Sequence, residues 1–470
     1  MVGAGNSRGV ECVRVLVLGA GYVGMATGVT LAYLGHDVVL VDIKPERVAA
    51  IAAARSPILE PGMDELLAEV QAQGRLSATT DAGPAAATSD VVFIAVNTPP
   101  VASGDADMTF VRAAAVSLGQ QLDPGHPVVI VNKSTVPIGS ANLVKSWVED
   151  GLHQAHPDVP ANGTFTVASN PEFLREGQAL SDSLYPSRIV LGTDVPWAME
   201  RLRALYAPLI AQSFAAPAAV PRPAGFMAPV PVAATDRVSA EMVKYASNAF
   251  LATKISFANE IAALCERVGA DVTQVMAAVG QDPRIGPQFL DAGVGWGGSC
   301  FGKDLSALMH TAREYGLEPV LAAAAVEVNR RQRRWLVQRL QATLKTLKGR
   351  RVAVLGLTFK PGTDDLRDSP AETVLADLTR LGARVVAHDP VATEAAAAAW
   401  PYPVEYVRRV DDAIAGAEAL LLVTAWPEYA ALDWAHVHES MERSLVLDGR
   451  NLWPPDLLRR LGIEYYSVGR

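Results

Sequence analysis

Residues 13–42 read VRVLVLGAGYVGMATGVTLAYLGHDVVLVD. A β-branched run from Val13 to Leu18 meets three glycines. A helical stretch follows, and a second apolar run from Val38 to Val41 ends in Asp42. Short apolar runs on either side of a longer helical pattern specify a β-α-β unit. The glycine spacing is GxGxxG: Gly19 allows the tight turn, Gly21 lets backbone approach a pyrophosphate, and Gly24 lets the helix lie close on the strand. The helix N-terminus then favours an anionic diphosphate. Asp42 stands where a carboxylate bonds ribose hydroxyls and repels a 2′-phosphate, so the expected cofactor is NAD rather than NADP.

Further apolar runs at DVVFIAV (90–96), PVVIVNKS (127–134) and FTVASNPEF (165–173) read as strands. Strands alternating with helices imply a parallel, doubly wound sheet that binds ligands at the strands' C-terminal ends. A Pro/Ala-rich stretch over 213–236 interrupts this order and reads as a loop free to cover part of a cleft, because repeated proline sustains neither a helix nor a central strand. Helical patterns follow from about Ser239 to Gly280 and from about Asp304 to Leu347. The opening plan then recurs in GRRVAVLGLTFKPGTDD (349–365) and RVVAHDP (384–390), without the third glycine, as for a nucleotide-sized pocket. The expected fold is α/β, two Rossmann-like doubly wound domains joined by a long central helical region. The segments are a NAD-binding domain over 1–212, the loop over 213–236, a central helical domain over 237–347 and a second Rossmann-like domain over 348–470.

A chain of 470 residues, half of them hydrophobic, suits two or three domains, and a net charge of −9 argues against nucleic acid as the main partner. Three cysteines (Cys12, Cys265 and Cys300) are too few and too scattered for a disulfide framework or a metal site. No secretory leader pattern and no apolar run of membrane-spanning length stand out, so a cytoplasmic protein without a membrane partner is expected. Cys12 and Cys265 sit in apolar strand and helix patterns and read as structural.

Cys300 is different. It lies in GVGWGGSCFGKD (293–304), among glycines and just ahead of Lys303 and Asp304. A helix start and a nearby ammonium favour the thiolate, and a nucleophilic thiol beside NAD suggests oxidation through a thiohemiacetal to a thioester, ending in a carboxylic acid. Two more segments carry suitable partners. In AEMVKYASNAF (240–250), Lys244 and Asn248 share one helix face and could stabilise a developing oxyanion. In SNPEFLREG (169–177), Glu172 and Glu176 lie one turn apart if the segment is helical, and a carboxylate can serve as base toward water.

Taken together, GAGYVG, VNTPP, STVPIG, NPEFLREG, PSRIVLG, EMVKYASNAFLATKISFANE, DPRIG, GVGWGGSCFGKD and GLTFKPGTDDLRDSPA occur in one order along the chain. In these motifs the chain resembles the UDP-glucose/GDP-mannose dehydrogenase family, and within it the UDP-glucose 6-dehydrogenase group. That resemblance implies oxidation of the C6 alcohol of a nucleotide sugar, UDP-glucose, to the carboxylate of UDP-glucuronate, with two NAD reduced. GDP-mannose and UDP-N-acetylhexosamines are the alternative substrates. It implies Cys300 as nucleophile, Lys244 and Asn248 polarising the C6 oxygen, Asp304 and Thr135 orienting water, and Glu176 or Glu172 in proton transfer. NAD would be held by Gly19, Gly21, Tyr22, Val23, Gly24, Asp42, Arg47, Thr98, Thr135, Glu176, Lys303 and Arg367. The substrate would meet Glu172, Phe173, Leu174, Arg175, Lys244, Asn248, Phe289, Gly293, Gly297, Phe359, Lys360 and Arg450. Arg284, resembling an arginine that reaches the neighbouring subunit's substrate, implies a homodimer. The resemblance also implies dimerisation and catalysis for the central domain and nucleotide-sugar binding for the last. Gly302 stands where the family commonly has proline, which loosens the turn holding Lys303.

Overall fold

The computed structural model describes residues 12–101, 104–161 and 163–470, so the first eleven residues, included above in the leader reading, lie outside it. It divides into two compact units, one ending at Ala246 and one beginning at Ser247.

Among its described residues the first unit holds eight strands: β1 (Arg14–Leu18), β2 (Asp37–Val41), β3 (Leu76–Thr79), β4 (Val91–Ile94), β5 (Val128–Asn132), β6 (Phe165–Ser169), β7 (Ile189–Gly192) and β8 (Val232–Thr235). Their order is β3-β2-β1-β4-β5-β6-β7-β8. All pairs are parallel except β6 with β7. Strand order reverses between β1 and β4, the switch point at which doubly wound sheets bind ligands. The strands are apolar on both faces. Val15, Val17, Leu40 and Phe93 enter one buried cluster, while Leu16, Leu18, Ile94 and Ile130 enter another on the opposite face. Burying each such side chain contributes roughly 1.5–3 kcal/mol, and that sandwiching is why the runs do not alternate with polar residues.

The stretch expected as a loop over 213–236 is irregular only to Pro231; Val232–Thr235 then pairs in parallel with β7 as the outermost strand. A sheet edge is where a proline-flanked strand is tolerated. The irregular part is packed down rather than free. Tyr33 and Tyr185 donate their hydroxyls to the carbonyls of Ala215 and Val220, and the Tyr185 ring meets Phe214 and Phe226.

In the second unit β9 (Arg351–Leu355), β10 (Arg384–His388), β11 (Val404–Tyr406), β12 (Ala419–Leu422), β13 (Leu445–Asp448) and β14 (Glu464–Ser467) form one parallel sheet in the order β11-β10-β9-β12-β13-β14. This repeats the order of the first six strands, down to the turn. Gly19 N–H bonds Val41 O, and Gly356 N–H bonds His388 O. The acids ending β2 and β10 accept from the next backbone N–H, Asp42 from Ala20 and Asp389 from Leu357. Asp389 also accepts from Thr358 N–H and the Trp426 indole, so its carboxylate is sealed within the protein. The helical region expected from Asp304 to Leu347 resolves into three helices, Phe301–Glu314, Val320–Gln332 and Trp335–Leu344.

Cys265 is buried among Ala262, Val272 and Met276, as its helical pattern implied. Cys12 is exposed, not structural: it precedes β1, where Arg75 donates a bond to its sulfur.

The helix packs directly on the preceding turn at Gly24, where a Cβ would sit 1.8 Å from Gly19 O. Gly24→Ala is therefore expected to cost about 3 kcal/mol of folding stability, read as a lowered urea midpoint, whereas Gly21→Ala, with open space at its Cβ position, should leave the midpoint nearly unchanged.

Candidate active site

In the first unit the switch point presents a helix N-terminus. The helix Tyr22–Tyr33 begins at Gly21 with no side chain capping it. A Cβ on Gly21 would meet nothing within 4 Å, so backbone donors face open space there. Asp42 is buried and oriented by Ala20 N–H, Lys44 N–H and the Arg47 guanidinium at 3.2 Å. This is a cradle that fits a dinucleotide's diphosphate and ribose. Tyr22 donates its hydroxyl to Leu59 O, and Val23 packs on the core of the unit. Thr98 donates to Thr135 O at 2.8 Å, tying together the ends of the segments that follow β4 and β5.

The neighbouring strand ends form a cleft lined by Lys133, Thr135, Pro171, Glu241, Lys244 and Tyr245 among others. Glu172 and Lys244 meet beside it. Lys244 Nζ donates to Glu172 Oε1 at 2.7 Å and to the Glu172 carbonyl at 2.8 Å, and both side chains are nearly fully buried. Glu172 Oε2 accepts from Leu174 N–H at 2.7 Å. Burial pushes the Glu172 carboxyl up, but the Lys244 ammonium, the Leu174 N–H and the Lys133 charge together outweigh it and hold the pKa below the ordinary carboxylate value. Two cations approach the Phe173 ring, the Arg188 guanidinium at 4.0 Å and Lys244 Nζ at 5.6 Å from its centre. Arg175 is turned away to Asp182 in a two-pronged pair.

Residues 171–175 are not helical; the next helix is Ala179–Leu184. The backbone N–H groups of Leu174, Arg175 and Gly177 are taken by the carboxylates of Glu172, Asp182 and Glu60 rather than by helical carbonyls, so the one-turn relation expected between Glu172 and Glu176 does not hold. Glu172 is buried and Glu176 only half-buried.

The second unit holds the thiol. Cys300 is the N-cap residue of the helix Phe301–Glu314 and is half-buried, with its sulfur 3.7 Å from Ser299 Oγ. One turn on, Asp304 is fully enclosed. Asn248 Nδ2 donates to its Oδ2 and Lys303 Nζ to its Oδ1, both at 2.6 Å. Gly302, where proline is common in the family, leaves this Lys303–Asp304 contact intact. Lys244 and Asn248 lie one turn apart on the single helix Arg237–Val268.

The glycines ahead of Cys300 pack against protein. A Cβ at Gly297 would meet Asp368 O at 2.2 Å, and at Gly298 (φ +87°) it would meet the Phe359 ring at 2.7 Å. Gly293 donates to Asn259, and the Trp296 backbone is held by Asn329 and Arg333. Arg450 belongs to this frame too. Its guanidinium donates to Val423 O and Gly295 O, and burial, with Arg333 near, lowers its pKa to about 10. Phe359 is thus stacked on the turn, and Lys360 lies 5.7 Å from its ring centre. Arg367 grips Asp365 with two donors. Phe289 takes a left-handed backbone (φ +64°) and meets Phe301 edge-on. Arg284 is 87% exposed and paired with Asp282.

Three side chains went unread in the sequence. Glu241 accepts from Gly139 N–H and Ala141 N–H, and so fixes the start of the Ser140–Ala155 helix beside Thr135. Glu60 accepts from Gly177 N–H, next to Glu176. Lys133 bonds Asn170 at the cleft. A charged residue directly after the buried parallel strand VVIVN (Val128–Asn132) was the available signal for Lys133.

Among the described residues no helix is long and apolar enough to cross a membrane, and no group of three His, Cys, Asp or Glu could hold a metal ion.

Three family models match the chain, each described as a domain of the UDP-glucose/GDP-mannose dehydrogenase family: the NAD binding domain over 13–210, the central domain over 238–331 and the UDP binding domain over 353–455. The chain is 41% identical over 457 residues to UDP-glucose 6-dehydrogenase TuaD of Bacillus subtilis, covering 97% of this chain and 93% of that protein. A solved UDP-glucose dehydrogenase from Pyrobaculum islandicum superposes with a TM-score of 0.84 at 40% identity, over 95% of this chain and 96% of that one. The UDP-D-ManNAc dehydrogenase of Pyrococcus horikoshii gives 0.80 at 27% identity, over 97% and 99%.

The Glu172 carboxylate stabilises the fold above its ordinary pKa, and that contribution is lost as pH falls through its depressed folded value. Urea melts at about pH 6 and pH 3 should therefore show a smaller acid loss in Glu172→Gln than in the unmutated protein.

Proposed function

The chain belongs to the UDP-glucose/GDP-mannose dehydrogenase family, and on that premise we propose that it oxidises the C6 alcohol of UDP-glucose to the carboxylate of UDP-glucuronate in two successive NAD-dependent steps. The observation that carries this reading is the set around Cys300: a thiol at a helix start, one turn before a carboxylate gripped by Asn248 and Lys303. An enzyme that stops at an aldehyde needs no thiol, whereas one that goes on to an acid can use a thiol to hold the aldehyde for the second oxidation. The identity with UDP-glucose enzymes, higher than with the UDP-D-ManNAc enzyme, supports UDP-glucose as the sugar nucleotide.

The residues divide the work as follows. NAD, when bound by the Gly19–Gly24 turn, Asp42, Arg47, Thr98 and Thr135, accepts one hydride in each oxidation. Lys244 and Asn248 donate to the C6 oxygen and stabilise its developing negative charge. The alcohol's proton passes to the Glu172–Lys244 pair. Cys300 Sγ adds to the aldehyde carbon, forming a carbon–sulfur bond and a thiohemiacetal oxyanion. Loss of the second hydride leaves a thioester on Sγ. A water oriented by Asp304 and Thr135, with Glu176 or Glu172 taking its proton, attacks that carbon; the carbon–sulfur bond breaks and the thiolate departs. Phe173, Leu174, Phe289 and Lys360 contact the nucleotide sugar, and Arg450 and Gly297 serve by holding the turn that presents Cys300.

A homodimer completes this reading. Phe250, Phe257 and Leu264, spaced by seven residues, expose 66%, 47% and 56% of their surface along the helix Arg237–Val268, an apolar stripe of the kind a second copy covers. A reducing cytoplasm, which keeps Cys300 free, is the compartment that suits it.

Limiting UDP-glucose should yield two NADH per molecule, with GDP-mannose and UDP-N-acetylmannosamine silent; one equivalent would remove the thioester route. Cys300→Ser should bind both ligands yet lose acid formation by about a thousandfold or more, followed by product chromatography. Phe257→Asp should shift sedimentation from dimer toward monomer.

A further inference from the structure

We propose that Lys133 is a positioning residue for this reaction: its ammonium, fixed on Asn170 at the cleft that Thr135 and Lys244 line, stabilises the Glu172 carboxylate and eases loss of a proton from its partner Lys244. The inference deepens the reading above and rests on it.

The ammonium has a defined place. Lys133 Nζ donates to Asn170 Oδ1 at 2.8 Å and lies 5.9 Å from the centre of the Phe93 ring. Asn170 is itself immobilised: its Nδ2 donates to Val190 O at 2.8 Å, and its Oδ1 also accepts from the Tyr206 hydroxyl at 2.7 Å. The partner of the ammonium is thus a neutral amide oxygen, so its charge remains available to act on its surroundings. The groups around it are few. Glu172 and Lys244 interact with it through charge. Glu241 and Tyr245 line the same cleft. Glu241 accepts bonds from Gly139 N–H, Ala141 N–H and Ser169. Tyr206 is buried, and burial pushes its phenol up, so it stays neutral across the working range.

Lys133 keeps some exposed area, yet burial dominates at its ammonium and lowers its pKa to about 8, with Lys244 adding to the fall and Glu172 opposing it. At neutral pH two ammonium groups therefore flank one carboxylate. A nearby cation makes any acid easier to deprotonate: it stabilises the Glu172 carboxylate and repels the Lys244 proton. Taking Lys133 away must raise the proton affinity of both. The direction is the same whichever member of the pair limits catalysis on the acid side.

The test is the pH profile of kcat/KM for UDP-glucose, from about pH 4 to 10, for the unmutated enzyme, Lys133→Met and Lys133→Arg, each shown to be folded by its melting temperature. We expect the lower inflection of Lys133→Met to move upward by about half a unit or more, so that activity on its acid side falls by about threefold or more, with a KM for NAD within twofold of normal. Lys133→Arg, which keeps the charge, should hold the normal inflection. A Lys133→Met profile that superimposes on the normal one after scaling would reduce Lys133 to scaffold and overturn the proposal. So would an arginine variant shifted as far as the methionine one. Failure of the substrate reading appears separately, as silence of the unmutated enzyme on UDP-glucose; the profiles are then run on the nucleotide sugar that yields NADH.

Discussion

Parallel pairing places the C-terminal ends of β1, β2, β4, β5 and β6 at one edge of a single sheet, and everything functional in the first unit depends on that constraint. The residues just past those ends are Gly19 after β1, Asp42 after β2, Lys133 to Thr135 after β5, and Asn170 to Glu172 after β6. They are far apart in sequence and converge because each strand's hydrogen bonds fix its register against the next. The strands are apolar on both faces, so a register slip would strand buried side chains; the positions of the polar residues beyond them are fixed by the same cores.

Each unit then uses one device to hold a buried carboxylate. Glu172 is bonded by Lys244 and a backbone N–H, and Asp304 by Lys303 and the Asn248 amide. A buried carboxylate without such partners would take up a proton and lose its ability to orient a donor. Two donors apiece satisfy and orient these carboxylates, and the partners are locked in turn: Lys244 by the Glu172 carbonyl, Glu172 by the Leu174 N–H. Breaking one contact leaves a buried charge uncompensated, which costs more than the contact itself contributes.

The glycine-rich turn before Cys300 reads differently in three dimensions than along the chain. Glycine density suggests backbone close to a ligand, and in the first unit the Cβ position of Gly21 does face open space. At Gly297 and Gly298 the close neighbours are instead Asp368 and Phe359 of the same unit. Those glycines let the turn pack tightly and so fix the helix start that Cys300 caps. Arg450 was drawn into the same frame, its donors directed to Val423 and Gly295 carbonyls.

What the sequence determined by itself was local and periodic: the β-α-β opening, the recurrence of that plan near residue 350, the placement of Lys244 and Asn248 one turn apart, and the isolation of Cys300 in a helix-start context. These are legible because strand and helix periods and turn chemistry act over a few residues. Only the tertiary structure decided which donors satisfy which carboxylates. Nothing in the spacing of residues 172 and 244, or of 248 and 304, states that they are bonded; that follows from sheet register and helix docking. For the same reason Lys133 went unread, since its meaning lies in Asn170 and the Glu172–Lys244 pair beside it. The edge strand in the proline-rich stretch, the extended run through Glu172 and the packed glycines share that cause. Each is a local preference settled by neighbours distant in sequence, and burial energies outweigh propensities of a few tenths of a kcal/mol per residue, as an order of magnitude.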